Sequence, residues 1–258
     1  MKLIFKYIMM HLKSQLEYRS SFIMSLLAQI LPMAFSASMV FVLLNKFNFL
    51  EQFNMYEVML IISIVQFGHS FSECFWRGFD KFSDVIKHGK LDLMLIKPRS
   101  IYMQVFGNKI EFTKISRVIG SLILFIVGVY NLSFNKSIIN ILFLIGLLIF
   151  SAVIYAAMYI FAACFCFKTI EGLEFTNILT DSSHEFGQYP MEIFRKEVLF
   201  VFTIFIPIAC VNYYPLKYIL GKSDNLLCLI SPLFSLVFLM LSILIFNKCL
   251  KNYSSAGG

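Results

Sequence analysis

The feature that most constrains this chain is a series of long apolar stretches. Residues 138–167 run for 30 positions without a charged side chain, whereas about 20 helical residues are enough to cross the hydrocarbon core of a bilayer. Over the whole chain 59% of the residues are hydrophobic and 14% are charged, compared with about 45–50% and about 25% in soluble proteins. Lipid has to cover this surplus of apolar surface, so we predict an all-α polytopic membrane protein.

Six of these stretches are predicted to serve as transmembrane helices. Little of the chain lies outside them, so residues 1–253 are predicted to form a single membrane domain without room for a separate soluble domain. The small residues 254–258 are interpreted as an added remnant. The approximate bounds of the six spans are 21–44, 55–75, 115–130, 138–167, 198–220 and 226–246.

The distribution of positive charge predicts the orientation of these helices. With six spans both termini lie on one side, and that side holds 18 of the 22 Lys and Arg. Nine of them belong to the basic segment 77–117, and three to the acid-rich stretch 168–197, which we interpret as a connector. The positive-inside rule places the termini and both segments in the cytoplasm. Four lysines remain on the other side: Lys46, Lys136, Lys217 and Lys222.

Residues 1–20 combine basic and apolar positions in a helical pattern. At 100° per residue, Lys2, Lys6 and Lys13 lie within about 40° of one another on a helix, and Glu17 is close to them. Ile8 and other apolar residues occupy a different face. The pattern predicts an amphipathic helix that lies along the membrane surface. A frayed basic N-terminus is the alternative.

Motifs for nucleotide and metal chemistry are missing from the sequence. Neither Gly89-Lys90 nor Gly221-Lys222 has the upstream glycine of a P-loop, and no His-Glu-x-x-His or Gly-x-Ser-x-Gly occurs. The six cysteines lie in or beside apolar stretches and lack the spacing of a metal site. The net charge of +7 lies between the spans, where it sets topology, so no nucleic acid partner is expected. We predict no catalytic residue, no metal and no cofactor bound by this chain itself.

Ionisable groups are also scarce within the predicted spans. The span interiors offer Gln29, Gln66 and His69, and no Asp or Arg lies mid-span. Carriers that are driven by ions need such groups to relay charge through the bilayer. The energy for transport is therefore expected from outside this chain. His69 and Glu73, four residues apart, are interpreted as an interfacial hydrogen-bonding pair.

The basic segment contains a candidate partner-binding element. Residues 80–86 can form a short helix, which Gly89 ends, and Leu91 with its apolar neighbours supplies anchors. Lys97 precedes Pro98 and so avoids helical geometry, which ends the element. A short amphipathic helix on a cytoplasmic loop can insert into a groove of a partner protein. The alternative is a loop that binds lipid headgroups.

The fifth stretch is interrupted by two prolines, Pro207 and Pro215. Proline kinks a helix and frees backbone carbonyls, which a membrane tolerates where they find partners or line a cavity. Asn212, Tyr213 and Tyr214 lie at this break. We interpret these five residues as an outer gate or a re-entrant turn toward the exit side. An ordinary belt of interfacial aromatic residues is the alternative.

Three local patterns resemble a family of bacterial ABC-2 type permeases. The first is 89–98 (GKLDLMLIKP), after the second span, which is similar to a G-x-L-D-x-x-L-x-[RK]-P signature. The second is 189–194 (YPMEIF), and the third is 206–221 (IPIACVNYYPLKYILG). Their order and spacing extend the resemblance over nearly the whole chain.

The resemblance implies six transmembrane helices in an ABC-2 exporter-like fold, with an N-terminal interface helix and a cytoplasmic coupling helix. It also implies a second permease subunit, identical or related, and two cytoplasmic ATPase subunits that bind ATP and Mg²⁺. Such a complex lies in the bacterial plasma membrane and exports an amphiphilic or apolar compound such as a drug, lipid or peptide. The coupling helix would carry motion into the second and third spans. Its residues would be Asp80, Phe82, Val85, Ile86, Gly89, Leu91, Asp92, Leu95, Lys97 and Pro98.

Three other functions are compatible with the sequence. An ATP-independent membrane carrier or channel would work without any ATPase. An intramembrane enzyme would use His69 and Glu73, or the cluster of Asp181, His184 and Glu185. A membrane scaffold or sensor would bind a partner and transport nothing.

Overall fold

The computed structural model describes residues 2–46, 53–132, 137–169 and 173–254, which are helical almost throughout and contain no β-strand. A bilayer core offers no partners for free backbone groups, so a lipid-covered chain satisfies them within its helices. The all-α prediction is confirmed. The helices are α1 (Lys2–Glu17), α2 (Arg19–Lys46), α3 (Met55–Phe75), α4 (Arg77–Asp80), α5 (Phe82–Lys87), α6 (Lys90–Ile96), α7 (Ile101–Asn108), α8 (Ile115–Asn131), α9 (Ile138–Phe165), α10 (Leu173–Gly187), α11 (Lys196–Ile204), α12 (Ala209–Asn212), α13 (Tyr214–Ile219), α14 (Leu227–Ile230) and α15 (Phe234–Lys251).

Four helical stretches of the described part are long and apolar enough to cross a membrane: α3, Phe112–Asn131, α9 and Leu227–Lys251. The pair Lys196–Ile204 and Ala209–Ile219 makes a fifth if it is taken as one span, although its two halves are bent by 88°. α2 is 28 residues long, and its part Arg19–Phe35 is a shorter apolar helix. A membrane protein with four or five candidate spans is therefore established, and the six-span arrangement remains a prediction.

Some sequence predictions fall outside the described residues. These are most of the turns predicted at 45–54 and 131–137, including Lys136, and all but the first residue of the remnant 254–258. The side chains of Lys2 and Lys46 also lie outside the described part.

α3 is the central helix of the bundle. Inside its apolar window 78% of the residues are buried, compared with 33% or less in the other three candidate spans. On one side it packs against α9, where Ser151 Oγ donates a hydrogen bond to the carbonyl of Ile64 at 2.8 Å. Gly68 lies directly against Ser151. Small residues at such contacts allow two helix backbones to approach closely in a membrane.

Residues 168–197, which the sequence analysis interpreted as a cytoplasmic connector, contain the helix α10. It packs against α3 and α9, with Thr180 and Ser183 on its buried face. Ser183 Oγ lies 3.6 Å from the sulfur of Met158 in α9. The stretch looked like a loop because it is rich in acids, but its polar side chains find partners inside the bundle.

The direction of α10 is opposite to that of α3. From the N-terminal toward the C-terminal end of α10, Asp181 lies next to His69, and Gly187 lies next to Val65. Successive residues of α10 therefore meet α3 at successively earlier positions. This places a polar helix beside the middle of the most buried candidate span.

The contact between α3 and α9 gives a stability prediction. A methyl group added at Gly68 would lie 2.6 Å from the carbonyl carbon of Ser151, so the two helices would have to move apart, at a cost of about 1–3 kcal/mol. We expect Gly68→Ala to lower the melting temperature of the detergent-purified protein. Gly146→Ala in α9 is the matched control, because a methyl group there meets no described atom within 4 Å. Equal melting temperatures for the two variants would contradict this packing.

Candidate functional site

The segment between α3 and α8 is a chain of four short helices, α4 to α7. Gly89 has a φ of +63°, a left-handed conformation that residues with a side chain rarely adopt, and it separates α5 from α6. α6 ends at Lys97, which is extended with a ψ of 137° ahead of Pro98. The break at Gly89 and the end of α6 before Pro98 agree with the sequence prediction. α5 begins at Phe82, whereas the sequence predicted a helix from Asp80.

Half of the predicted coupling-helix residues are buried within the chain, and their role toward an ATPase stays a prediction. Phe82 illustrates the cause, because its ring packs against Phe246 of α15 with 5.4 Å between the ring centroids. Asp80 is buried as well, and Arg77 lies 3.2 Å from its carboxylate. Burial raises the pKa of the Asp80 carboxyl, although Arg77 opposes the shift. The buried members of the predicted set are Asp80, Phe82, Val85, Ile86 and Leu91.

The opposite side of α6 forms an exposed apolar tip. Leu93, Leu95 and Ile96 are 61%, 44% and 80% exposed. Ile96 is missing from the predicted set, and its spacing of three residues from Leu93 is the signal that could have found it. Asp92 is half-buried and hydrogen-bonds with Tyr253, whose pKa is raised by burial and also by this carboxylate. The exposed members of the predicted set are Gly89, Leu95, Lys97 and Pro98.

α1 lies along the segment that follows α6. His11 Nε2 is 2.9 Å from the carbonyl oxygen of Gly107 at the end of α7. Gln15 Nε2 donates to the carbonyl of Ile110 at 2.7 Å, and Gln15 Oε1 accepts from the backbone N–H of Phe112 at 3.0 Å. The polar contacts of α1 therefore come from His11 and Gln15, which the sequence prediction missed. The predicted residues Lys6, Lys13 and Glu17 are exposed.

A buried carboxylate connects this segment to the bundle. Glu73 lies in the last turns of α3, and its side chain is 6% exposed. Arg77 Nη1 and Lys114 Nζ lie 3.1 and 3.2 Å from Oε1. Arg117 Nη1 of α8 donates to Oε2 at 2.9 Å. His69 Nδ1 is 3.9 Å from Oε2, too far for the predicted hydrogen bond, so the three cations are the main partners of Glu73.

A polar cavity of about 380 Å³ lies beside this cluster, between α2, α3, α8 and α10. It brings together two groups that are distant in sequence: the pair His69 and Glu73, and the cluster of Asp181, His184 and Glu185. Its lining consists of Pro32, Met33, Gln66, His69, Glu73, Arg117, Asp181, His184 and Glu185.

Two imidazole rings form the inner wall of the cavity. The rings of His69 and His184 are stacked, with 4.3 Å between their centroids. His184 Nε2 lies 2.6 Å from Gln66 Oε1. Oδ1 of Asp181 lies 3.5 Å from His69 Nε2. Nδ1 of His69 has no hydrogen-bonding partner among the described residues, although the side chain is buried.

The proline-broken segment lies beyond the other end of α10. Pro207 is buried within the bend of 88° between α11 and the α12–α13 pair, and Pro215 is at the start of α13. Asn212 Nδ2 donates to the carbonyl of Gly187 at 2.7 Å. The Tyr213 hydroxyl donates to Glu192 Oε1 at 2.9 Å.

Two further contacts hold the outer part of this segment. The hydroxyl of Tyr214 lies 3.1 Å from Thr203 Oγ1. Lys222 Nζ donates to Glu57 in the first turn of α3. The predicted gate residues therefore hold the bend together and join it to α10.

The cluster around Glu73 gives a second stability prediction. Glu73→Gln would leave buried Lys114 and half-buried Arg77 and Arg117 without their shared carboxylate. Breaking a buried ion pair in this way costs about 3–5 kcal/mol. We expect a large loss of thermal stability for the purified protein. Glu197→Gln removes an exposed carboxylate from α11 and should leave the melting temperature unchanged. A similar melting temperature for both variants would show that the cluster is not stabilising.

Comparison with known proteins gives the family of this chain. Residues 21–257, more than nine tenths of the sequence, match the family model described as ABC-2 family transporter protein. Neither curated proteins nor solved structures give a match. The chain therefore belongs to the ABC-2 family of membrane transporter proteins.

Proposed function

We propose that this chain is the transmembrane permease subunit of an exporter that is driven by ATP hydrolysis in a separate subunit. The observation that carries the proposal is the apolar tip of α6, where Leu93 and Ile96 are exposed beside Lys97 and Arg99. Apolar residues on an exposed short helix are suited to a groove of a partner protein. The positive-inside rule assigns this end of the bundle to the cytoplasm, where an ATPase subunit would bind.

Buried contacts connect the tip to the transmembrane helices. Leu91 and Met94, on the other side of α6, belong to the same apolar cluster as Phe246 of α15 and Ile160 of α9. Gln104 Nε2 donates to the carbonyl of Met94 at 2.9 Å and so joins α6 to α7. Motion in the ATPase would therefore reach α9 and α15 as well as the second and third spans that the family resemblance implies.

The proposed complex contains two ATPase subunits and a second permease subunit, identical or related. ATP and Mg²⁺ would bind to the ATPase subunits, and this chain would contribute binding and movement. The substrate is expected to be amphiphilic or apolar, because the chain offers 30 Phe and 13 Met for a cavity lining. Export would proceed across a bacterial plasma membrane.

An ATP-independent carrier or channel is the second candidate. The sequence disfavoured it because ionisable residues are scarce within the predicted spans. The cavity at α3 and α10 now brings Asp181, His69 and His184 together, and an ion-coupled carrier would need such groups. Transport by the purified chain alone in liposomes would favour this candidate over the exporter.

The α6 tip can be tested by co-purification. Ile96→Asp places a charge at a position that is 80% exposed, so the fold is preserved while the apolar contact is lost. Truncating the central residues of such interfaces typically costs 2 kcal/mol or more of binding energy, which is about thirtyfold in affinity. We expect Ile96→Asp to abolish co-purification of an ABC ATPase that is co-expressed with this chain.

Met103→Asp is the matched control, because Met103 is also exposed, at 37%, on the neighbouring helix α7. Loss of the ATPase with Ile96→Asp alone supports the proposed contact. If both variants retain the ATPase, or the wild type binds none, the proposed function is wrong.

We also infer that α10 is the fifth membrane crossing. Beyond α10, Glu192 Oε1 lies 2.6 Å from Nζ of Lys217, and Lys222 pairs with Glu57 at the first turn of α3. These contacts place the residues after α10 near the Met55 end of α3. α10 would therefore run across the membrane, from the level of Phe75 to the level of Met55. The bent pair 196–219 would then be a re-entrant element on the outer side.

A topology with α10 as the fifth crossing still obeys the positive-inside rule. Arg195 and Lys196 move to the outer side, and 16 of the 22 Lys and Arg remain cytoplasmic. An excess of that size still orients the chain with its basic segment inside.

Thiol labelling distinguishes the two topologies. Glu197 is exposed and would be outside if α10 crosses the membrane, but inside if residues 168–197 are a connector. We expect Glu197→Cys in intact cells to react with a membrane-impermeant maleimide. Ser100→Cys, also exposed and in the basic segment, should react only after the cells are opened. If neither cysteine reacts with the maleimide in intact cells, residues 168–197 are a cytoplasmic connector and the inferred crossing is wrong.

The native cysteines allow this assay after one replacement. All are buried except Cys249, which is partly exposed, so the variants are made in a Cys249→Ser background.

A further inference from the structure

We propose that the cavity between α3 and α10 binds the protonated amine of an amphiphilic substrate. This inference rests on the proposed function, because it names the substrate class that the exporter would carry. The depth of the cavity, its charge and one buried imidazole support this assignment.

The cavity lies at the depth of the bilayer core. His69 is six residues from the end of α3 at Phe75, about 9 Å, and Gln66 is eleven residues from its start at Met55, about 16 Å. At this level the side chains of Asp181 and Glu185 are 61% and 66% exposed. Carboxylates in a membrane protein face water-filled cavities or other protein, because contact with lipid is costly. The open side of the cavity therefore faces a water-filled space or the second permease subunit.

The charge of the cavity differs between its two ends. At the Phe75 end the cations Arg77, Lys114 and Arg117 surround Glu73. Asp80 and Glu111 pair with Arg77 and also with Lys81 and Lys109, so five cations meet three carboxylates. At the α10 end the carboxylates of Asp181 and Glu185 lie beside the two imidazoles. The α10 end therefore carries negative charge that favours a cationic ligand.

His69 supplies the second and independent indication of a ligand. Its side chain is 4% exposed and lines the cavity. Nε2 faces the carboxylate of Asp181, while Nδ1 makes no hydrogen bond within the described part of the chain. A buried polar group without a partner is costly. An ammonium N–H in the cavity would satisfy the lone pair of a neutral imidazole while the carboxylate of Asp181, 3.5 Å from Nε2, balances the charge.

The lining favours an organic amine over a metal ion. In the described residues no three His, Cys, Asp or Glu side chains converge in a way that could hold a metal. Met33 and Pro32 of α2 provide an apolar wall opposite the carboxylates. A hydrocarbon chain that carries an ammonium group matches both surfaces, because its tail contacts the apolar wall while its head lies between the acids.

A binding measurement tests this site without any ATPase. The chain is reconstituted in nanodiscs of phosphatidylcholine and titrated with a dansyl fluorophore on an octyl chain that ends in a primary amine. The same molecule with an acetylated, neutral amine is the comparison probe, and empty nanodiscs give the background. We expect the amine probe to bind at least tenfold more tightly than the acetylated probe, because a charge-assisted hydrogen bond is worth about that factor.

Variants locate the binding. Asp181→Asn and Glu185→Gln each keep the side-chain shape at an exposed position, and each should weaken the amine probe about tenfold. Asp224→Asn, at an exposed position outside the cavity, is the matched control and should bind like the wild type. Equal binding of the two probes, or equal binding by Asp181→Asn and Asp224→Asn, would overturn the site. That failure differs from failure of the proposed function, which shows as loss of the ATPase in co-purification.

Discussion

The carboxylate of Glu73 is the contact on which the arrangement of this bundle depends. It is buried near the end of α3, and its three cations come from α4, the turn before α8 and α8 itself. Buried charge is tolerated only when it is paired and hydrogen-bonded. The cluster therefore fixes where the chain leaves α3 and where it returns in α8. The short helices α4 to α7, with the exposed tip of α6, are held between these two points.

The same cluster borders the cavity. Arg117 donates to Glu73 and also lines the cavity, while Arg77 pairs with Glu73 and with Asp80 in α4. A movement of α4 would therefore change the partners of a residue in the cavity wall. Within the proposed function, this gives a direct physical connection of a few side chains between the ATPase-facing segment and the place where a substrate amine would bind.

Several helix ends follow from local rules and were predictable. The second span was predicted at 55–75, and α3 has those bounds. The break at Gly89 and the stop before Pro98 follow from the φ of glycine and from the restriction on a residue before proline. Burial was less predictable: Phe82 and Leu91 were expected on a contact surface but pack inward. In a short helix with apolar residues on several faces, composition does not indicate which face meets the bundle.

The sequence by itself determined that this chain is an all-α membrane protein, because only lipid can cover so much apolar surface. It also determined where the helices break and which segment is basic. The tertiary structure alone decided that α10 packs against α3, since acidic residues in 168–197 are equally typical of a solvated connector. It alone brought Asp181 to His69, 112 positions away in the chain. Helical periodicity reports the faces of one helix, whereas a cavity exists only where several helices meet, and that depends on packing between residues far apart in sequence.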